Sequence, residues 1–272
     1  MDWDIDFITY EDFRQHVANT IKRYDNKLES YDVDKFNSNL IDPIKMIFDK
    51  AVYGQDWRTL IANEIFRQRD KTNNNEIGYF HQRLFNYLDA CRVPPNGTEG
   101  GWDVIYDVPG GYEIADNGVV HKIYVEMKNK HNTMNSSSAA KTYIKMQNQL
   151  LEDDDCACFL VEAIAKKSQD IVWQTTVDKK KVSHKRIRRV SIDQFYALVT
   201  GQHDAFYQIC MVLPEVVSEV LSGSSFALNK PHDTVYDELE AKAENLNVSS
   251  PDTAMVLSMY MLGFSTYDGF KR

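Results

Sequence analysis

Cysteine is scarce in this chain, and its spacing is wrong for a metal. The four residues Cys91, Cys156, Cys158 and Cys210 include no CxxC pair, and no histidine stands at zinc-ligand spacing from them. That excludes a zinc finger or ribbon. Cys156 and Cys158 lie two apart in CACFLVEAIA and share one face if the segment is a strand, where they read as buried free thiols. No apolar run approaches the roughly 20 residues of a membrane helix. The opening MDWDIDFITYEDF is acidic, whereas a secretory signal opens with positive charge and an apolar run. The expectation is a soluble, cytoplasmic protein. Internal repeats and long low-complexity segments are also missing.

The 272 residues suit a single domain, a core with helical additions, that buries its apolar groups without disulfides. Net charge is -9, which on its face argues against nucleic acid, but the charge is uneven. Residues 122–190 hold fourteen Lys or Arg against eight Asp or Glu, and residues 191–272 hold four against eleven. A basic island in an acidic protein can attract phosphate while the remainder keeps the chain soluble.

Hydrophobic periodicity divides the chain into a helical N-terminal region (1–73), a core (74–190) and a mainly helical C-terminal region (191–272). FITYEDFRQHVANTIKRYDNKL has helical spacing, with Thr9 as N-cap. A second helix starts near Pro43 and a third covers DWRTLIANEIFRQRD. TNNN reads as a polar break, after which Glu76 opens a fourth helix with an apolar stripe through Ile77, Phe80, Leu84, Tyr87 and Leu88. Past the connector VPPNGTEGG the period changes to two. WDVIYDV, GYEIAD and VVHKIYVEMK read as three strands, with ADNG a tight turn in which Asn117 and Gly118 can take positive φ. A helix over AKTYIKMQNQLLE follows, then strands CACFLVEAIA and DIVWQTTV, then DKKKVSHKRIRRV as a basic loop or strand pair. Helices resume at SIDQFYALVTG, broken at Pro214, Pro231 and Pro251. The order implies an α/β protein with a mixed sheet flanked by helices.

Chemistry concentrates between Gly101 and Lys130. Glu126 and Lys128 alternate onto one face of a strand, and the chain reversal before them can bring Asp103 alongside. Two carboxylates and an ammonium suit phosphodiester hydrolysis. Hard oxygens hold Mg²⁺, or Mn²⁺ in its place, with waters retained, and the lysine orients the attacking water and balances developing charge. D…ExK alone is common by chance, and a solvated strand pair with a Glu–Lys contact would give the same spacing.

GGWD before the first strand, and YVEMKNKHNTMNSSSAAKTYIKMQ after, resemble the PD-(D/E)xK nuclease superfamily. More narrowly they resemble the restriction endonuclease family that includes cutters of GGNCC-type sites. The resemblance covers roughly residues 74–176 and is strongest in EMKNKHNTMNSSS. It implies an αβββαβ core, Asp103 and Glu126 as metal ligands and Lys128 as the catalytic lysine. The proline usual before the aspartate is replaced by Trp102. Many members carry a further acidic residue on the helix before the first strand; Glu76 is the candidate, Glu64 the weaker one. Glu76 would equally serve as a first-turn carboxylate at a helix dipole.

Asn129, Lys130, His131, Asn132, Asn135, Ser136, Ser137 and Ser138 form a dense hydrogen-bonding run after Lys128, suited to phosphates and base edges, although some serines could instead cap the next helix. Lys141 and Lys145 share a helix face that could track a DNA strand. In the basic cluster, Lys181, Lys185, Arg186, Arg188 and Arg189 are the candidates for DNA contact, arginine being the best reader of guanine.

The expected protein is therefore a Mg²⁺-dependent, site-specific endonuclease acting on double-stranded DNA, with a homodimer implied by palindromic sites. The alternatives are a repair or structure-selective nuclease, and a DNA-binding protein with a degenerate nuclease core.

Overall fold

The structure is a computed structural model and describes residues 3–114, 118–223, 228 and 230–267, apart from the side chain of Thr72. The chain divides into two compact units, each built from separated segments: residues 1–21 with 76–226, and residues 22–75 with 227–272.

The first unit is built on a six-stranded sheet. Its strands are β1 (Cys91–Arg92), β2 (Val104–Ile114), β3 (Gly118–Lys130), β4 (Cys156–Ile164), β5 (Asp170–Val177) and β6 (Lys180–Ser191), in the spatial order β1-β2-β3-β4-β6-β5. The sheet is mixed. β3, β4 and β6 run parallel, while β1–β2, β2–β3 and β5–β6 are antiparallel pairs. One face packs against α1 (Tyr10–Asp25), the end of α4 (Trp57–Leu84), α6 (Ile192–Thr200) and α7 (Ala205–Ser222), through Phe13, Leu84, Phe85, Ile123, Val125, Phe159 and Phe195. The other face packs against α5 (Ser136–Glu152) through Tyr143, Met146, Cys158, Leu160 and Ile187. The alternation along β3 explains both: Ile123 and Val125 point into the first core, and Tyr124 lies on the second. β4, covered on both sides, is buried from Cys156 through Glu162.

The second unit is helical. α2 (Val33–Ser38), α3 (Pro43–Tyr53), the first part of α4, α8 (Val235–Glu244) and α9 (Pro251–Gly263) close on Phe36, Ile61, Leu239 and Met259. Arg69 pairs with Asp233 at 2.9 Å within it.

Four expectations about elements change. TNNN does not break a helix: α4 runs unbroken for 28 residues, with Asn74 bonded back to Asp70. Polar residues cost a helix only tenths of a kcal/mol each, and neither Gly nor Pro stands among these four. Glu76 is thus mid-helix rather than in a first turn. WDVIYDV and GYEIAD are one strand, β2, bent by an irregularity between Asp107 and Tyr112, where Gly110 and Gly111 take positive φ. Of ADNG, residues 115–117 lie outside the described residues, and Gly118 opens β3 opposite Ile114 without the positive φ expected of it. Pro214 sits inside α7 rather than ending it, since Ile209 and Val216 are buried on either side and packing holds both halves. α7 is also the one helix, among the described residues, with the length and apolarity of a membrane span, and it buries Ala205, Ile209, Val216 and Val220 in the sheet's core.

The other readings hold in outline. Thr9 caps α1 through the Asp12 amide at 3.1 Å. The basic segment is a strand, β6, joined to β5 by Asp178 and Lys179, both at positive φ as a two-residue hairpin turn requires. Cys156 and Cys158 are buried free thiols, Cys91 is half-buried and Cys210 exposed.

Candidate active site

The antiparallel register Val104↔Val125 sets Asp103, at the mouth of β2, beside Glu126 in β3. The Asp103 amide donates to the Val125 carbonyl at 2.9 Å. In return, the Met127 amide donates to Asp103 Oδ2 at 2.7 Å. The backbone between Glu126 and Lys128 therefore grips the aspartate. From α4, Gln82 Nε2 donates to the Asp103 carbonyl at 3.1 Å.

The approach to Asp103 is a turn that needs glycine. Gly100 and Gly101 both have positive φ, and a Cβ on Gly100 would meet Trp102 Nε1 at 3.1 Å. Trp102 is buried and donates its indole N–H to Gln149 Oε1 of α5 at 2.9 Å.

Glu126 carries two ammonium groups. Lys128 Nζ donates to Oε1 at 2.7 Å, and Lys145 Nζ, from α5, donates to Oε2 at 2.9 Å. The side chain of Glu126 is 16% exposed and those of Lys128 and Lys145 28% and 30%, so the group is sheltered yet reachable from solvent. Burial pushes the Glu126 carboxyl up, but the two lysines outweigh it and hold the group below the usual carboxylate range. Asp103 goes the other way. Burial pushes it up, the Met127 amide opposes this, and the neighbouring Glu126 charge adds to the rise.

Two adjacent carboxylates, one destabilised by burial and by the other, form a hard oxygen donor set that a divalent cation would relieve. Among the described residues no third His, Cys, Asp or Glu joins them as a metal-binding group. The set fits a cation that keeps several waters.

The remaining candidates fall in different places. Glu76 is buried in α4, its carboxylate 3.8 Å from Arg83. Asn135 is the N-cap of α5, accepting from the Ser138 amide at 2.8 Å, so an asparagine rather than a serine caps this helix. Lys130, Asn132, Ser136 and Ser137 are exposed around that cap, Lys141 lies exposed one turn into α5, and Asn129 is half-buried. His131 Nδ1 lies 3.0 Å from Glu162, a wholly buried carboxylate that also accepts from Arg189. Arg189 donates to the His131 carbonyl as well, at 2.9 Å. Arg188 binds Asp170 of β5, and Arg186 reaches the Asp154 carbonyl. Lys181 and Lys185 are exposed on the β5–β6 hairpin.

Asp103, Glu126 and Lys128 are thus brought together, and Lys145, grouped in the sequence with Lys141, turns into the same site. Glu162 is not among the residues expected at the site, although one carboxylate inside the apolar run CACFLVEAIA signals a buried partner. The contact of Gln82 with Asp103 has no sequence signature.

The family profile described as Eco47II restriction endonuclease matches residues 5–222. The type II restriction enzyme Sau96I of Staphylococcus aureus is 32% identical over 264 residues, covering 90% of this chain and 92% of that protein. The type II restriction enzyme Eco47II of Escherichia coli is 27% identical over 231 residues, covering 80% and 88%.

Proposed function

This chain belongs to the Eco47II restriction endonuclease family, and on that premise we propose that it hydrolyses double-stranded DNA at a short specific site through Asp103, Glu126 and Lys128. The observation that carries the assignment is the β2–β3 register, which sets Asp103 beside a Glu126–Lys128 pair on one sheet face. The same reading makes this unit a PD-(D/E)xK core. The end of α4, the antiparallel β2–β3 pair, α5 and the parallel β4 follow in the order the core requires, with β1 reduced to two residues.

Asp103 and Glu126 would hold Mg²⁺, with Mn²⁺ a substitute. When bound, the cation neutralises charge on the phosphate and activates water. Asp103 is preset by the Met127 amide, so its carboxylate needs little reorganisation. Lys128, released from Glu126, would orient the attacking water and face the developing charge. Glu76, on the helix whose Gln82 meets Asp103, would act on the site without being one of the two metal ligands.

The exposed groups at the start of α5, Lys130, Asn132, Ser136 and Ser137, would contact phosphates or base edges, since a helix N-terminus offers unpaired amides to anions. Asn129, His131, Asn135 and Ser138 would support this loop, and Lys141 would follow the backbone. A GGNCC-like target is the expected site by resemblance. A two-fold dimer would then place one active site on each strand.

Digestion of a sequenced plasmid by the purified protein with Mg²⁺, with Lys128→Ala in parallel, tests the reading. Discrete fragments from wild type, lost in the variant while DNA binding persists in Ca²⁺, are expected, and their ends give the site. A smear lost in the variant would indicate a structure-selective or nonspecific nuclease. Binding without cleavage by wild type would indicate a degenerate core.

A further inference from the structure

The two lysines on Glu126 are held differently. Among the described residues, the polar contacts of Lys128 Nζ end at Glu126 Oε1. Lys145 Nζ is seated three ways: on Glu126 Oε2 at 2.9 Å, on the Gly101 carbonyl at 2.7 Å, and 4.0 Å from the centre of the Trp102 ring. One turn further along α5, Gln149 accepts the Trp102 indole N–H. A single helix face therefore holds Glu126 and the two residues immediately before Asp103.

This geometry separates the lysines by function. A lysine anchored to a backbone carbonyl and an aromatic ring stays in place when the charge of Glu126 is taken up by something else. A lysine anchored to Glu126 alone is free to turn to another anion. We propose that Lys145 is a positioning residue for the metal-binding carboxylates. It fixes the rotamer of Glu126 and, through Gly101 and Trp102, the approach of Asp103, so that both converge before the cation arrives. The inference rests on reading Asp103 and Glu126 as the ligands. It removes Lys145 from the set of phosphate contacts and leaves Lys141, exposed one turn earlier, to that role.

The test compares full-length wild type with Lys145→Met, Lys145→Arg and Glu126→Gln. Mn²⁺ alone is titrated and followed by electron paramagnetic resonance. Binding to the plasmid fragment that wild type cuts is measured in EDTA across a salt series, and thermal melts confirm folding. Lys145→Met should weaken Mn²⁺ binding roughly 10- to 100-fold, the usual cost of losing a group that orients a metal ligand. Lys145→Arg should recover part of the loss, and the salt slope of DNA binding should stay at the wild-type value. Unchanged or tighter Mn²⁺ binding in Lys145→Met would overturn the proposal, leaving the lysine a mere counter-charge. A salt slope reduced by about 0.9 would overturn it too, by revealing a phosphate contact. Glu126→Gln keeps the failures apart. If it binds Mn²⁺ as wild type does, the ligand assignment itself is wrong; if only Lys145→Met does, the assignment stands and the positioning role falls. Should Lys145→Met fold poorly, Lys145→Gln carries the same comparison.

Discussion

Lys128 and Glu162 are Cα partners across β3 and β4, yet they form no ion pair among the described residues. In parallel pairing, partners point to the same side of the sheet, so a wholly buried carboxylate lies one strand from the lysine. Glu162 is occupied by Arg189 and His131, and this leaves Lys128 to Glu126. Lys128 and Glu162, adjacent across the strands, thus belong to two separate charge clusters.

Removing one partner of such a buried pair strands the other. Glu162→Ala is expected to destabilise the protein by about 3–5 kcal/mol, because the Arg189 guanidinium loses its anion in a site that is largely closed to water. The double variant Glu162→Ala/Arg189→Met should recover most of that loss. Urea unfolding of the two single variants and the double would measure the coupling. Additive effects would show that the two residues do not act as a pair.

Asp103 and Glu126 are perturbed in opposite directions, which gives opposite expectations for their amides. The folded protein binds the Asp103 proton more tightly than the unfolded chain does. The stability this contributes is present in full below the ordinary carboxylate range and is lost as pH rises through the raised pKa. In EDTA above that pKa, Asp103→Asn should therefore melt higher than wild type, and the gain should fade as pH falls. For Glu126 the folded pKa is lowered, so its stability is present above the ordinary range and lost as pH falls through the lowered pKa. Glu126→Gln should melt lower at neutral pH. Differential scanning calorimetry in EDTA from pH 4 to 8 would decide, and a lower melting point for Asp103→Asn throughout would contradict the argument.

Glu76 sits six residues before Gln82 on one continuous helix, about 9 Å along its axis. Its buried carboxylate faces Arg83 at 3.8 Å, so an ion pair alone could account for it. Variants separate the two roles. If Glu76 serves the active site, Glu76→Gln should slow cleavage about tenfold or more, whereas Arg83→Met should leave the rate near wild type. Equal losses in both would assign Glu76 to the helix.

Much of this was legible in the sequence, because apolar alternation reports burial directly. Ile123, Val125, Glu126 and Lys128 needed only the period of a strand, and the neighbourhood of Asp103 followed from an antiparallel return. What was hidden depended on partners far along the chain. The polarity of TNNN suggests a break, but propensity alone rarely ends a helix, and packing on either side carries α4 through it. Lys145 looked like a surface lysine because nothing local shows that the Gly101 carbonyl and the Trp102 ring await it. Arg186, Arg188 and Arg189 looked like one basic patch. Their nearest partners, Asp154, Asp170 and Glu162, lie 18 to 32 residues away.

The topology also fixes where the remaining basic groups can act. Glu126 aligns with Leu160 in β4, and Leu160 with Arg189 in β6. β5 pairs with β6 from Ile171↔Arg189 to Val177↔Lys180, and the irregularity between Val172 and Gln174 takes up the extra residues of β6, so the hairpin tip lies about 20 Å from the level of the carboxylates. That is about six base pairs of B-DNA. Lys179, Lys180 and Lys181 therefore cannot touch the scissile phosphate, and any duplex they meet flanks the site. A triple alanine variant is expected to bind long duplexes less tightly, with a salt slope reduced by up to about 0.9 per lost contact. It should cleave a short duplex with fewer than about six flanking base pairs as fast as wild type. An equal loss on short and long substrates would mean that the hairpin reaches the cut site, and no loss on either would leave it a solvated tip.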